Sequence, residues 1–324
     1  MNFNFKSLAQ VLKYFSDEKV CYDFLENKLW GGTPACPHCG SIHVYTRKNR
    51  SKKLAELNIP EYKCAEKGCN KNFTVKVGTI FESSKLDLQI WFAAIWLCTT
   101  TSKGISSANL AKQLGITQKT AWFVLSRIRE MFKETASDML TGEVEIDETY
   151  VGGKEANKHK SKRMPKGTTG AKGKSPMVGL LQRNGKVLLR VIDADKANGE
   201  TIKPIVRKYV SSEAIIYTDG FGAYNGLNKE FVEHGIVAHD KGEYVNGKVH
   251  TNTIEGFWSI MKRGIIGVYH FTSHKHLQRY CDEYSYRYNN RDLTLQDKFG
   301  KAVQGASKAR ITYDELIKNK ATNS

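Results

Sequence analysis

Two sets of side chains in this sequence have the types and spacing to do chemistry. The first is four cysteines in two close pairs, Cys36-Pro-His-Cys39 and Cys64-Ala-Glu-Lys-Gly-Cys69. Two tight turns that each present two thiolates supply the tetrahedral sulfur set that a zinc ion takes. The 24 residues between Cys39 and Cys64 suit two strands folding back, as in a zinc ribbon. Strand-forming residues flank both turns, His43-Val44-Tyr45 after the first and Phe73-Thr74-Val75 after the second. One structural Zn2+ on Cys36, Cys39, Cys64 and Cys69 is therefore expected, with His38 and His43 as bystanders. Redox chemistry at Cys36 and Cys39 is the alternative, though no βαβ pattern surrounds them. Cys21, Cys98 and Cys281 sit among apolar or aromatic neighbours and read as buried thiols.

The second set is acidic. Residues 143–153 read as a strand that carries Asp147 and ends in glycines, and residues 214–220 as a buried strand ending in Asp219 and Gly220. Residues 253–263 read as a helix with Ile254, Phe257, Trp258 and Met261 on its inner side and Glu255 among them. Two aspartates at strand ends and a glutamate on a late helix are the donor set of two-metal phosphoryl transfer. There, two Mg2+ or Mn2+ ions about 3.5–4 Å apart serve the attacking and leaving oxygens. Lys262 lies two helical turns past Glu255, placed either to hold a phosphate or to be solvated. Trp258 is either core or a base-stacking residue. Asp193 and Asp195 close another strand and are rival carboxylates, with Asp195 a candidate helix cap. Glu283, Arg287 and Arg291 share one helix face and form an ion-pair ladder or touch DNA.

The elements that must position these residues follow a recognisable order. Strands at 143–153, 176–182 and 186–192, the last two joined through Asn184-Gly185, precede a helix at 199–210. The strand at 214–220, a short strand near 235–239 and the helix at 253–263 complete an α/β set. That order is the one of a ribonuclease-H-like mixed sheet with helices against it. Ahead of it, residues 86–134 read as helices. The run 105–117 gives a short helix closed by Gly115, with Thr117 capping the next. In that next helix Ala121, Trp122, Val124, Leu125, Ile128 and Phe132 form an inward stripe, which leaves Gln118, Lys119, Thr120, Arg127 and Arg129 for the outer face. This is a helix-turn-helix layout, with an ordinary helical hairpin as the alternative. The expected organisation is an N-terminal segment 1–82 with the ribbon at about 30–80, helices over 83–140, a catalytic domain over 141–295, and a C-terminal helix and tail over 296–324.

Charge points to the partner. The 324 residues carry 50 Lys+Arg against 33 Asp+Glu, a formal charge of +17, which suits a polyanion such as double-stranded DNA. Eight of the basic residues fall between Lys154 and Lys174, with one acid. Lys158, Lys160, Lys162 and Arg163 are candidate phosphate contacts there, beside Lys119, Arg127, Arg129, Lys262 and Arg287 elsewhere. The longest apolar run, Ile90 to Cys98, is too short to span a bilayer, and MNFNFKSLAQ lacks an export-signal layout, so a cytoplasmic protein with no membrane partner is expected.

Taken together, Cys36-Pro-His-Cys39, Val144-Glu-Ile-Asp147-Glu-Thr-Tyr150, Tyr217-Thr-Asp219-Gly220, His250-Thr-Asn-Thr-Ile-Glu255-Gly-Phe-Trp-Ser259 and Glu283-Tyr-Ser-Tyr-Arg-Tyr-Asn-Asn-Arg291 resemble the DDE-type transposases of bacterial insertion sequences that carry an N-terminal zinc ribbon. The resemblance spans about residues 30–292. It implies a catalytic domain that cuts DNA at an element's ends and joins the 3′ ends to target DNA. Asp147 and Asp219 carry over as the metal-binding aspartates. The third member is either Glu255 or Asn252, one turn earlier on the same helix face. Because transposases pair two ends, a homodimer or larger assembly on DNA is implied. The alternatives are a transposase-derived DNA-binding regulator without catalysis and a nuclease on the same fold.

Overall fold

The N-terminal helices start and stop on local signals. Ser7 caps α1 (Leu8–Tyr14) by accepting from the Gln10 amide. Asp17 caps α2 (Glu18–Trp30), and Gly31 closes it in the left-handed region. The computed structural model describes residues 5–48, 51–133, 139–153, 159–163, 173–193, 196–237, 247–307 and 309–318. They form two compact units, residues 1–132 with 292–324, and residues 133–291. Among the described residues no helix is long and apolar enough to cross a membrane.

In the first unit, β1 (Val44–Thr46), α3 (Lys52–Glu56), β2 (Tyr62–Cys64) and β3 (Asn72–Phe73) make the ribbon, with the strands antiparallel in the order β1-β2-β3. Its core is small: Cys36, Tyr62, Cys64 and Phe73, with Trp30 of α2 packed edge-on against Tyr62 and Phe73. Helix α4 (Leu88–Thr100) is apolar all round and correspondingly buried all round. Helices α5 (Ser107–Leu114) and α6 (Gln118–Met131) meet at Gly115, whose φ of 64° permits the turn, and Thr117 caps α6 by accepting from the Thr120 amide.

The outer face of α6 differs from expectation. Ala121, Val124, Leu125, Ile128 and Phe132 are inward as read, and Gln118 and Lys119 are exposed. Arg127 and Arg129, however, are buried. The Arg127 guanidinium donates to the carbonyls of Ile80, Glu82 and Ile311 and stacks 4.6 Å from the Phe123 ring. Chain segments cover α6 on a second side, so Arg127 is structural. Five donors on one guanidinium satisfy carbonyls that no helix or strand pairs.

The second unit is built on β4 (Glu143–Val151), β5 (Ser175–Gln182), β6 (Val187–Val191), α7 (Gly199–Tyr209), β7 (Ile215–Asp219), β8 (Glu233–Val237), α8 (Asn252–Gly264) and α9 (His274–Asn289). The strand order is β6-β5-β4-β7-β8. β4, β5 and β6 pair antiparallel, while β4 with β7 and β7 with β8 pair parallel. This is the ribonuclease-H-like mixed sheet. Asn184, at φ 57°, turns the β5–β6 hairpin. The expected strand near 235–239 lies slightly earlier, and His239 is outside the described residues.

Alternation along β4 divides the core. Val144 and Ile146 face α7, with Ile202 and Val206. On the other face, Met177 and Leu181 of β5 pack with Ile254, Phe257, Trp258 and Met261 of α8 and with Leu277 and Cys281 of α9. The chain then returns to the first unit through α10 (Leu295–Gln304) and α11 (Tyr313–Ile317). Phe299 of α10 sits among Phe5, Phe15, Phe24, Phe92 and Trp96.

Candidate functional site

Residues on the ribbon and at the sheet's C-terminal edge make two separate sites. The ribbon brings its four cysteines together. Cys36 Sγ lies 3.7 Å from Cys69 Sγ, Cys39 Sγ lies 3.6 Å from Cys64 Sγ, and all four sulfurs fall within 4.8 Å of one another. Sulfurs about 2.3 Å from a central tetrahedral zinc stand roughly 3.8 Å apart, so the set fits that ion. Desolvation would raise the Cys36 thiol, but the amides of His38 and Cys39 and the neighbouring sulfurs outweigh it and hold the thiol below its ordinary value. His43 pairs instead with Glu66, 3.2 Å away, and His38 is exposed. Neither histidine belongs to the cluster.

The acidic site is positioned by strand register. β4 and β7 run parallel, and their last paired residues are Glu145 and Tyr217. Two residues further along each strand, just past the end of that ladder, stand Asp147 and Asp219 on adjacent strands. Asp147 lies on the α8 face, where the Trp258 indole N–H donates to its Oδ2 at 2.9 Å. Burial, with added repulsion from Asp219 and Glu255, pushes Asp147 up to about 6, while the indole bond works the other way. Hard-oxygen donors on two strands and a helix are of the kind that a divalent cation takes. Among the described residues the three acids are spread more widely than the thiolates.

Asn252 and Glu255 stand exposed in the first turn of α8. Glu255 accepts from the Thr251 hydroxyl at 3.0 Å. Trp258 resolves as a core residue with a polar role. Its ring lies over Gly179, the residue of β5 directly across from Asp147. A Cβ on Gly179 would stand 2.5 Å from the ring and 2.9 Å from Ile254.

The other expected positions divide. Lys119, Lys160, Arg163 and Lys262 are exposed cations, and Lys262 borders a groove lined by Tyr150, Ile266 and Phe271. Lys158 and Asp195 lie outside the described residues, and the side chain of Lys162 is not among those described. Asp193 closes β6, two strands from β4, beside Lys196 and His274. Arg287 is a correction: its guanidinium is spent on the fully buried Glu283 one turn earlier and lies over the Tyr284 ring. The ladder reading therefore holds for that pair.

Two further acids of β4 escaped the sequence reading. Glu148 is on the opposite face from Asp147, bonded to the hydroxyl of Tyr224. Burial, aided by Asp219 and Asp147 and opposed by the Tyr224 bond, pushes it up to about 7. Glu145 shares the face of Asp147 and is fully buried with Arg183. The available signal was period two along 143–149, which places Glu145 and Asp147 side by side.

Known proteins resemble this chain in both parts. Residues 139–289 match the ISXO2-like transposase domain and residues 16–72 the transposase zinc-ribbon domain. An uncharacterized protein in transposable element ISH50 of Halobacterium salinarum is 30% identical over 271 residues, 78% of this chain and 84% of that protein. An uncharacterized transposase-like protein of Haemophilus influenzae is 28% identical over 96 residues, covering 30% of this chain and 76% of its own length. Among solved structures, a Mos1 transposase paired-end complex with left transposon end aligns over 67% of this chain and 79% of its own, at a TM-score of 0.28 and 12% identity.

Proposed function

Since the chain belongs to the ISXO2-like transposases, we propose that it cuts DNA at the ends of an insertion sequence and joins the freed 3′ ends to target DNA at one site. The observation that supports this reading is the placement of Asp147 and Asp219 on adjacent strands, with the first turn of α8 beside Asp147. Two divalent cations bound there would supply Lewis-acid stabilisation of charge on the attacking and leaving oxygens. Asp147 and Asp219 would hold them from the sheet, and Glu255 or Asn252 from α8. Glu255 is our preferred third ligand because a carboxylate is the better hard donor, and its charge already acts on Asp147. The Trp258 indole holds one oxygen of Asp147 and so fixes the carboxylate's orientation. No side chain need form a covalent intermediate. The protein's work is positioning two DNA segments in turn against one rigid edge.

The ribbon thiolates would hold one Zn2+ as a structural ion. Duplex DNA is the partner, met by exposed cations including Lys119, Lys160, Arg163 and Lys262. Pairing of two ends calls for a homodimer or larger assembly.

The test is cleavage and joining of a labelled duplex carrying the element's ends, in Mg2+ or Mn2+, by wild type, Asp219→Ala, Glu255→Ala and Asn252→Ala. Metal-dependent joining, abolished in Asp219→Ala, is the expected result. The deeper loss among the other two variants identifies the third ligand. Cutting without joining would indicate a nuclease. Tight end binding without cutting in either metal would indicate a regulator.

A further inference from the structure

The helix that carries Asn252 and Glu255 lacks an ordinary cap. Thr251 stands at its N-cap position and makes no side-chain bond to the first-turn amides, which have no intrahelical acceptor. A carboxylate from the sheet takes that place. Glu145 Oε2 accepts from the Ile254 amide at 2.9 Å, and Oε1 accepts from the Thr253 hydroxyl at 2.9 Å. The carboxylate also meets the positive end of the helix dipole. On its other side Arg183 Nε donates to Oε1 at 2.8 Å, and His250 Nδ1 lies 3.3 Å away.

Arg183 extends the same tie. It sits in the β5–β6 turn and donates to the carbonyls of Lys248 and His250, both at 2.9 Å, in the segment that enters α8. Its guanidinium lies 4.3 Å from the ring of Tyr217 on β7. One buried ion pair thus connects β4, β7, the hairpin and the start of α8. Burying such a pair adds little stability over an apolar pair of similar size, but its directional bonds fix one arrangement. What they fix here is α8 against β4, the strand that carries Asp147 two residues after Glu145.

We propose that Glu145 and Arg183 are positioning residues that set the first turn of α8, and with it Asn252 and Glu255, at its working distance from Asp147. This rests on the reading of that turn as part of the metal site. Neither residue touches substrate. A misplacement of about 1 Å costs on the order of 100-fold in rate, so a short, fully bonded tie from the same strand is the expected solution.

The experiment uses the full chain as wild type, Glu145→Gln, Arg183→Lys and Thr253→Ala. Amide exchange of peptides covering 250–262 is compared with peptides covering 199–209, without DNA or added divalent cation. End-DNA affinity, and cleavage rate against Mg2+ concentration, are measured on the same preparations. The expected result for Glu145→Gln is faster exchange confined to the start of α8, unchanged end affinity, a cleavage rate at saturating Mg2+ lower by about 100-fold, and a higher half-saturating Mg2+. Thr253→Ala, which removes one bond and no charge, moves the same quantities less. It carries the test if Glu145→Gln does not fold. Exchange that is unchanged at α8, or faster in both sets of peptides with the Mg2+ dependence unaltered, overturns the proposal in favour of a merely stabilising pair. If wild type itself cuts nothing, the catalytic reading fails, and exchange at α8 alone then decides whether Glu145 and Arg183 position the helix.

Discussion

Burying Asp147 costs the fold stability wherever its carboxyl is ionised. Burial first, then Asp219 and Glu255, raise it to about 6, and burial raises Glu148 to about 7. Between the ordinary carboxylate range and these values the folded chain keeps protons that the unfolded chain has released. Stability without divalent cation therefore falls as pH rises from about 4 to about 7, and the full cost is present above that. Asp147→Asn removes the charge and keeps an acceptor for the indole. Thermal unfolding without added divalent cation should find it more stable than wild type by about 1–3 kcal/mol at pH 8, with about two-thirds of that gain lost at pH 4.5. Equal differences at both values would contradict this assignment. Trp258→Phe keeps most of the ring packing but removes the indole bond, the larger of the two hydrogen bonds that hold Asp147 down. The acid limb of its cleavage profile should move to higher pH. Asp219 was legible in sequence because it closes an apolar run, whereas Asp147 stands in the middle of β4 rather than at its expected end, because β5 pairs that strand on to Val151. Glu145 and Glu148 were not legible, because their roles depend on which face of β4 each occupies and on what lies across it.

At the scale of elements, periodicity carried most of the fold. The alternation of β4, the Asn184-Gly185 turn, and the Gly115 and Thr117 signals between α5 and α6 all stand where the sequence reads them. The reading went astray where a helix is enclosed on more than one side. Arg127 and Arg129 lie off the apolar stripe of α6, which in a helix with one buried face means solvent, yet carbonyls of distant segments enclose Arg127. The close approach of α8 to the sheet is a second such case. Gly179 leaves room for Trp258 directly across from Asp147, and nothing in its own neighbourhood of the sequence announces that. Gly179→Ala should destabilise by about 1–3 kcal/mol through overpacking. It should also lower cleavage more than end binding, because the displaced ring is the one bonded to Asp147. Denaturant titration beside a cleavage assay checks both effects.

At the scale of the whole molecule, the N-terminal helices and the C-terminal segment share one core. Phe299 meets aromatic rings from Phe5 to Trp96. Contacts across about two to three hundred residues leave no local period, which is why the tail read as a separate helix. Phe299→Ala should cost about 3–5 kcal/mol, measured by denaturant unfolding. The ribbon, in contrast, has a core of a few residues, so its order should depend on the metal. Removing zinc should speed amide exchange throughout 36–73. The most direct measurement of the central claim uses an end duplex already cut to expose its 3′-hydroxyl, with supercoiled plasmid as target and Mg2+ or Mn2+. Wild type should join the end to the plasmid, while Asp147→Asn and Asp219→Asn should bind the end normally and join none of it. Joining by either variant at the wild-type rate, or no joining by a wild type that binds the end, would contradict the account.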